Sequence, residues 1–140
     1  MALKVSKADV WVAELVDQPG SLSSALSRLA EAGVNLQFII ARRSPEKPGS
    51  GVVFVTPIKG TKAVKAAQAA GFVKSSKIAT LRIEGPDRKG LGAKITQAIA
   101  AAGVNLRGVS AGVIGKNFVC YISLDTAADA AKAAKAIRRV

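Results

Sequence analysis

Ala32-Gly33-Val34-Asn35-Leu36 occurs a second time as Ala102-Gly103-Val104-Asn105-Leu106, 70 residues further along the chain. The same spacing lays Glu14 on Glu84, Asp17 on Asp87, Gly20 on Gly90 and Ala41 on Ala111. Self-similarity at one fixed spacing marks a structural unit written twice. Working backward, Lys4, Ser6 and Lys7 fall on Lys74, Ser76 and Lys77, so residues 1–8 read as a second copy of residues 71–78. The correspondence fades after residue 41, where the first copy carries the longer loop Arg43 to Gly51.

Each copy predicts the same elements. A strand over Val10 to Val16, or Thr80 to Glu84, runs into the turn-formers Asp17-Gln18-Pro19-Gly20, or Gly85-Pro86-Asp87-Arg88-Lys89-Gly90. A helix follows, with Leu22, Ala25, Leu26 and Leu29 on one face and Ile95, Ala98, Ile99 and Ala102 repeating that stripe. Gly33 and Gly103 stand where helices end in a left-handed residue. Antiparallel hairpins come next, Asn35 to Arg42 with Gly51 to Thr56, and Asn105 to Ile114 with Phe118 to Leu124. Second, Ala-rich helices are predicted over Thr61 to Ala70 and Ala127 to Arg138, and Phe72 to Ser75 closes the first copy as a strand. The fold class is therefore α+β: two tandem ferredoxin-like βαββαβ units, each an antiparallel sheet covered by helices on one face. The units are expected at 8–77 and 78–140. The second copy lacks its last strand, and the N-terminal segment, residues 2–6, is predicted to supply it, which would remove an exposed sheet edge.

Composition narrows the chemistry. The 140 residues are 49% apolar, enough for buried cores, and 26 of them are Ala, so helices can lie close to what they cover. Histidine is absent and Cys120 is the one cysteine, which excludes histidine base catalysis, Ser-His-Asp and Cys-His arrangements and the usual zinc sets. No metal and no cofactor is expected. In the apolar run Phe118-Val119-Cys120-Tyr121-Ile122, the cysteine reads as core filling, and a lone cysteine fits a reducing, cytoplasmic setting. Neither a signal peptide nor an apolar run long enough to span a membrane is expected. The net charge is +12, heavier in the second half, which points to anionic partners without choosing among them.

The duplicated strand, Asp17-Gln18-Pro19-Gly20 turn, Leu-striped helix and Gly33-Val34-Asn35-Leu36 resemble ACT domains, small regulatory modules that bind amino acids. The second copy departs from the pattern, with Lys89 in place of the family's Pro and Gly92 in place of an apolar helix residue. The resemblance implies a non-catalytic regulatory protein and a ligand held at a module interface by this turn and by the Asn that opens the second strand. Carried over by position, the ligand-binding candidates are Asp17, Pro19, Gly20, Ser21, Leu22 and Asn35, then Asp87, Gly90, Leu91 and Asn105. It further implies a homodimer, an amino acid or similar small carboxylate as ligand, and a metabolic enzyme or regulator as partner. The alternative within the family is a detached regulatory subunit without a ligand of its own. The chemistry of the turn agrees. A glycine there allows a bend closed to other residues, and the following helix presents unpaired N–H groups suited to a carboxylate.

Two rival classes fit less well. The same topology serves RNA-recognition modules, which need aromatic side chains at alternate positions of one strand. Phe118 and Tyr121 are three apart and should point to opposite faces, which disfavours nucleic acid. The segment Gly85 to Lys94 superficially resembles a phosphate loop but lacks Gly-Lys-Ser/Thr at the required spacing.

Overall fold

The computed structural model describes residues 3–140. In chain order the elements are β1 (Lys4–Ala8), β2 (Trp11–Val16), α1 (Ser21–Glu31), β3 (Phe38–Arg43), β4 (Ser50–Thr56) and α2 (Thr61–Ala69). There follow β5 (Val73–Lys74), β6 (Ala79–Pro86), α3 (Leu91–Ala101), β7 (Gly108–Ile114), β8 (Asn117–Leu124) and α4 (Ala127–Ile137). Asp9–Ser75 forms one compact unit; the residues through Ala8 form the other together with Ser76–Val140.

In Asp9–Ser75 the sheet order is β3-β4-β2-β5, every neighbour antiparallel. Alternation along the strands sends Trp11, Ala13, Val53 and Val55 to one face, where they meet Ala25 and Leu29 of α1, Ala63 and Ala67 of α2, and Phe72. The other sheet, β1-β6-β8-β7, repeats this order and is also antiparallel throughout. Leu81, Ile83, Phe118, Cys120, Ile122 and Leu124 face Leu91, Ile95 and Ile99 of α3 and Ala130, Ala133 and Ile137 of α4. Each unit is thus a two-layer sandwich whose core lies between one sheet face and two helices. The small alanines of α2 and α4 let helix and sheet approach closely.

The first helix of each unit ends as its glycine demands. Gly33, at φ 81°, donates its N–H to Ala30 O at 2.9 Å, and Val34 donates to Leu29 O at 3.1 Å. Gly103 and Val104 make the equivalent bonds to Ala100 and Ile99, the paired pattern that satisfies the last carbonyls of a helix.

The strand that closes the second unit is β1, paired with β6 from Lys4↔Glu84 to Ala8↔Thr80. Residue 2 of the predicted 2–6 strand lies outside the described residues. Its register differs from the sequence match. β5 sets Lys74 opposite Trp11, the counterpart of Leu81, but it is Lys7, not Lys4, that stands opposite Leu81. The closing strand has slid by three residues relative to the 70-residue spacing. An odd slide exchanges the faces of a strand. It turns Leu3 and Val5 onto the core and leaves Lys4 outward, with Nζ 3.8 Å from Glu84 Oε1. Had the identities Lys4, Ser6 and Lys7 set the register, charge and hydroxyl would have faced the core.

Candidate functional site

Gly20 and Gly90 hold the left-handed conformation at the N-caps of α1 and α3, with φ of 88° and 73°. Neither helix has a side-chain cap or an acidic residue in its first turn, so the N–H groups of Leu22 and Ser23, and of Gly92 and Ala93, are open to a ligand. Both turns close alike. Ser21 N–H donates to Gln18 O and Leu91 N–H to Arg88 O; Ser24 and Lys94 donate to the O atoms of Gly20 and Gly90. A Cβ built on either glycine meets nothing within 4 Å, which shows that the turn faces open space.

Around the first turn the end of β3 and the long loop after it contribute most of the charge. Arg43 Nε donates to Asp17 Oδ2 at 2.9 Å, and Lys47 Nζ lies 2.6 Å from Glu14 Oε1. Asp17 N–H is fixed by Gly49 O at 3.0 Å. Two shallow depressions flank the turn. One, of about 190 Å³, has Asp17, Ser21 and Leu22 on one side and Arg42 and Arg43 on the other. The second, of about 410 Å³, is lined by Pro19, Gly20 and Ser21 with Arg28. Helix N–H groups and arginines can receive a carboxylate, and Asp17 can receive an ammonium group in competition with Arg43. Arg28, Arg42, Arg43 and Lys47 were not among the residues singled out from sequence. The one signal available was the loop insertion itself, which interrupts the repeat beside the turn.

Around the second turn Asp87 N–H donates to Lys116 O at 2.8 Å, but β7 and its short turn place no arginine opposite Asp87. Leu91 is buried in the core, so only its backbone faces the turn. Neither asparagine joins the turn of its own unit. Asn35 precedes β3 at the end where Phe38 pairs with Thr56, whereas Asp17 follows β2 at the end where Val16 pairs with Ser50. A six-residue strand separates them, about 20 Å. Asn35 instead borders a depression of about 360 Å³ with Lys59, Thr61 and Lys62. Asn105 stands likewise at the Gly108 end of its sheet, away from Asp87 at the Pro86 end. A ligand the size of an amino acid therefore cannot touch both the turn and the Asn of the same unit.

On β6 and β8, the face away from the helices carries Arg82, Glu84 and Tyr121. Arg82 donates through Nε and Nη2 to Glu84 Oε2 at 2.9 and 2.7 Å, donates to the Tyr121 hydroxyl, and holds its guanidinium 5.4 Å from the ring centroid. The hydrogen bond from Arg82 holds the Glu84 carboxyl below the usual carboxylate range against the opposing effect of desolvation. Phe118 points into the core and Tyr121 to the other face, as their spacing requires. Cys120 is a buried core thiol whose pKa burial pushes up to about 11. Among the described residues no group of three or more His, Cys, Asp and Glu is placed to hold a metal, and no helix is long and apolar enough to cross a membrane.

A family model for the ACT domain matches residues 12–70 and again residues 79–140. The chain belongs to the ACT domain family. Both ACT units are matched, and such units are regulatory ligand-binding modules. Solved structures show the same fold over nearly the whole chain. A protein from Bacteroides thetaiotaomicron superposes with TM-score 0.78 at 18% identity, covering 96% of this chain and 89% of that one. The ligand-free regulatory subunit of aspartate kinase from Thermus thermophilus does so with TM-score 0.67 at 21% identity, covering 99% and 96%. Aspartate kinase from Clostridium acetobutylicum matches with TM-score 0.62 at 19% identity, over 96% of this chain but only 33% of that one. No curated protein matches this chain by sequence.

Proposed function

We propose that this ACT pair is a non-catalytic regulatory protein that binds an amino acid at the Asp17–Leu22 turn and signals its occupancy to a protein partner. The observation carrying this reading is the combination at one turn of uncapped helix N–H groups, Arg42 and Arg43, and the Asp17 carboxylate. These are the complements of a carboxylate and an ammonium group carried on one carbon. The second turn offers the same backbone through Asp87, Gly90 and Leu91, without the arginines opposite. Asn35 or Asn105 of a second copy of the chain completes the site, as a cytoplasmic homodimer would allow. A ligand bridging two copies stabilises the arrangement that joins them, and that difference in affinity is what transmits the signal. The kinship in fold with a regulatory subunit of aspartate kinase supports a metabolic enzyme as the partner.

The test is a thermal-shift screen of the standard amino acids against the full chain. A ligand at a hundred times its dissociation constant adds about 2.7 kcal/mol of stability, a rise in Tm on the order of 10 °C. The shift should vanish in Arg42→Ala/Arg43→Ala. If no amino acid raises the midpoint, the reading is wrong.

A further inference from the structure

The proposed function calls for a protein partner, and one end of the second unit describes the chemistry of that partner. Residues through Ala8 together with Ser76–Val140 hold 13 basic and 4 acidic residues, a net +9, against +3 for Asp9–Ser75. The bond from Asp87 N–H to Lys116 O ties the β7–β8 turn to the β6–α3 turn, so Arg88, Lys89 and Lys116 stand together, with Lys94 one helical turn beyond. β8 runs away from this end, and α4 returns toward it, bringing Arg138 and Arg139. All six side chains are exposed, and among the described residues none makes an ion pair or hydrogen bond. At the first unit's turn, by contrast, Arg43 and Lys47 are neutralised by Asp17 and Glu14.

Six cations gathered around one carboxylate, that of Asp87, repel one another, and an acidic partner relieves that repulsion. Two features choose the class of partner. Val113 and Ile114, 50% and 75% exposed, adjoin Lys116 at the end of β7, and aliphatic side chains beside cations suit a protein segment. This unit's two aromatic rings are unavailable for stacking on bases, since Phe118 is in the core and Tyr121 lies under Arg82. We infer that the cationic end of the second unit docks an acidic, aliphatic-bearing segment of the partner protein. The two units then divide the work, one reading the small ligand and the other holding the partner.

The test measures, by fluorescence anisotropy with the full chain, binding of a labelled peptide of alternating glutamate and leucine and of an oligouridylate of equal charge. The peptide should bind more tightly, and its affinity should fall with added salt. Arg88→Glu/Lys116→Glu should weaken it about tenfold, while the charge-matched Lys7→Glu/Lys77→Glu, toward the Ala79 end of β6 in the same unit, should leave it nearly unchanged. Arg138→Glu/Arg139→Glu provides a second variant should the first fail to fold. Preference for the oligouridylate would make the surface a nucleic-acid one, and equal losses in test and control variants would leave only diffuse charge. A change of oligomeric state in Arg88→Glu/Lys116→Glu with peptide binding intact would assign the surface to a second copy. Each of these overturns the inference. Amino-acid thermal shifts retained in Arg88→Glu/Lys116→Glu keep the two readings separable, because a chain that binds the peptide but responds to no amino acid refutes only the ligand reading.

Discussion

Leu3 offers the sharpest test of how the second unit is closed. It is 6% exposed and packs into the cluster of Leu81, Ile83 and Ile137, although Leu81 lies 78 residues and Ile137 134 residues further along the chain. Truncating a buried leucine to alanine costs about 2–5 kcal/mol, the transfer contribution plus that of the cavity left behind. Leu3 precedes the first ladder pair, Lys4↔Glu84, so its surroundings can relax and the cost should fall near the lower end, about 2 kcal/mol. That corresponds to about 30-fold faster exchange of amides that open with the unit, and to a loss on the order of 10 °C in Tm for a unit of this size. Native-state hydrogen exchange on Leu3→Ala resolves the two sheets separately. Amides of Leu81, Ile83 and Ile122 should lose protection, while those of Ala13, Val53 and Val55 should keep it. Unchanged protection at Leu81 and Ile83, or equal loss in both sheets, would refute the assignment of Leu3 to the second core. Deleting residues 1–7 removes the β1 ladder as well and should produce a larger loss in the same place.

Gly20→Ala should cost about 1 kcal/mol in a urea titration, because an alanine is forced to a positive φ while its methyl meets no atom. It should also abolish the amino-acid thermal shift, since that methyl occupies the mouth of the turn. Glu84 makes stability depend on pH with a definite sign. Its folded pKa is depressed, so its contribution is complete above the unfolded carboxylate value of about 4.3 and is lost as pH falls through the folded value. With both partners partly in water, Glu84→Gln should remove no more than about 1 kcal/mol at neutral pH and should flatten this acid limb of the stability curve. An unaltered acid limb in the variant would show that the Arg82–Glu84 pair is not its source.

What sequence alone determined is everything that depends on neighbours along the chain. The duplicated Gly-Val-Asn-Leu, the stripe of Leu22, Ala25, Leu26 and Leu29, and the glycines at 20, 33, 90 and 103 specify local backbone states and a buried helix face, and hence the order of elements. The spacing of Phe118 and Tyr121 likewise sent them to opposite faces, because alternation along a strand is a local rule. Tertiary structure decided what depends on which strands meet. The identities Lys4, Ser6 and Lys7 suggested one register for the closing strand, but burial of Leu3 and Val5 against β6 imposed another, since exposing two aliphatics to bury a lysine costs more than any sequence similarity records. The same long-range pairing set Asn35 at the far end of the sheet from Asp17, and brought the last residue of β3 to the end where β2 stops, so that Arg43 reached the Asp17 carboxylate. These contacts span tens of residues and carry no period, so only the folded sheet brings them into view.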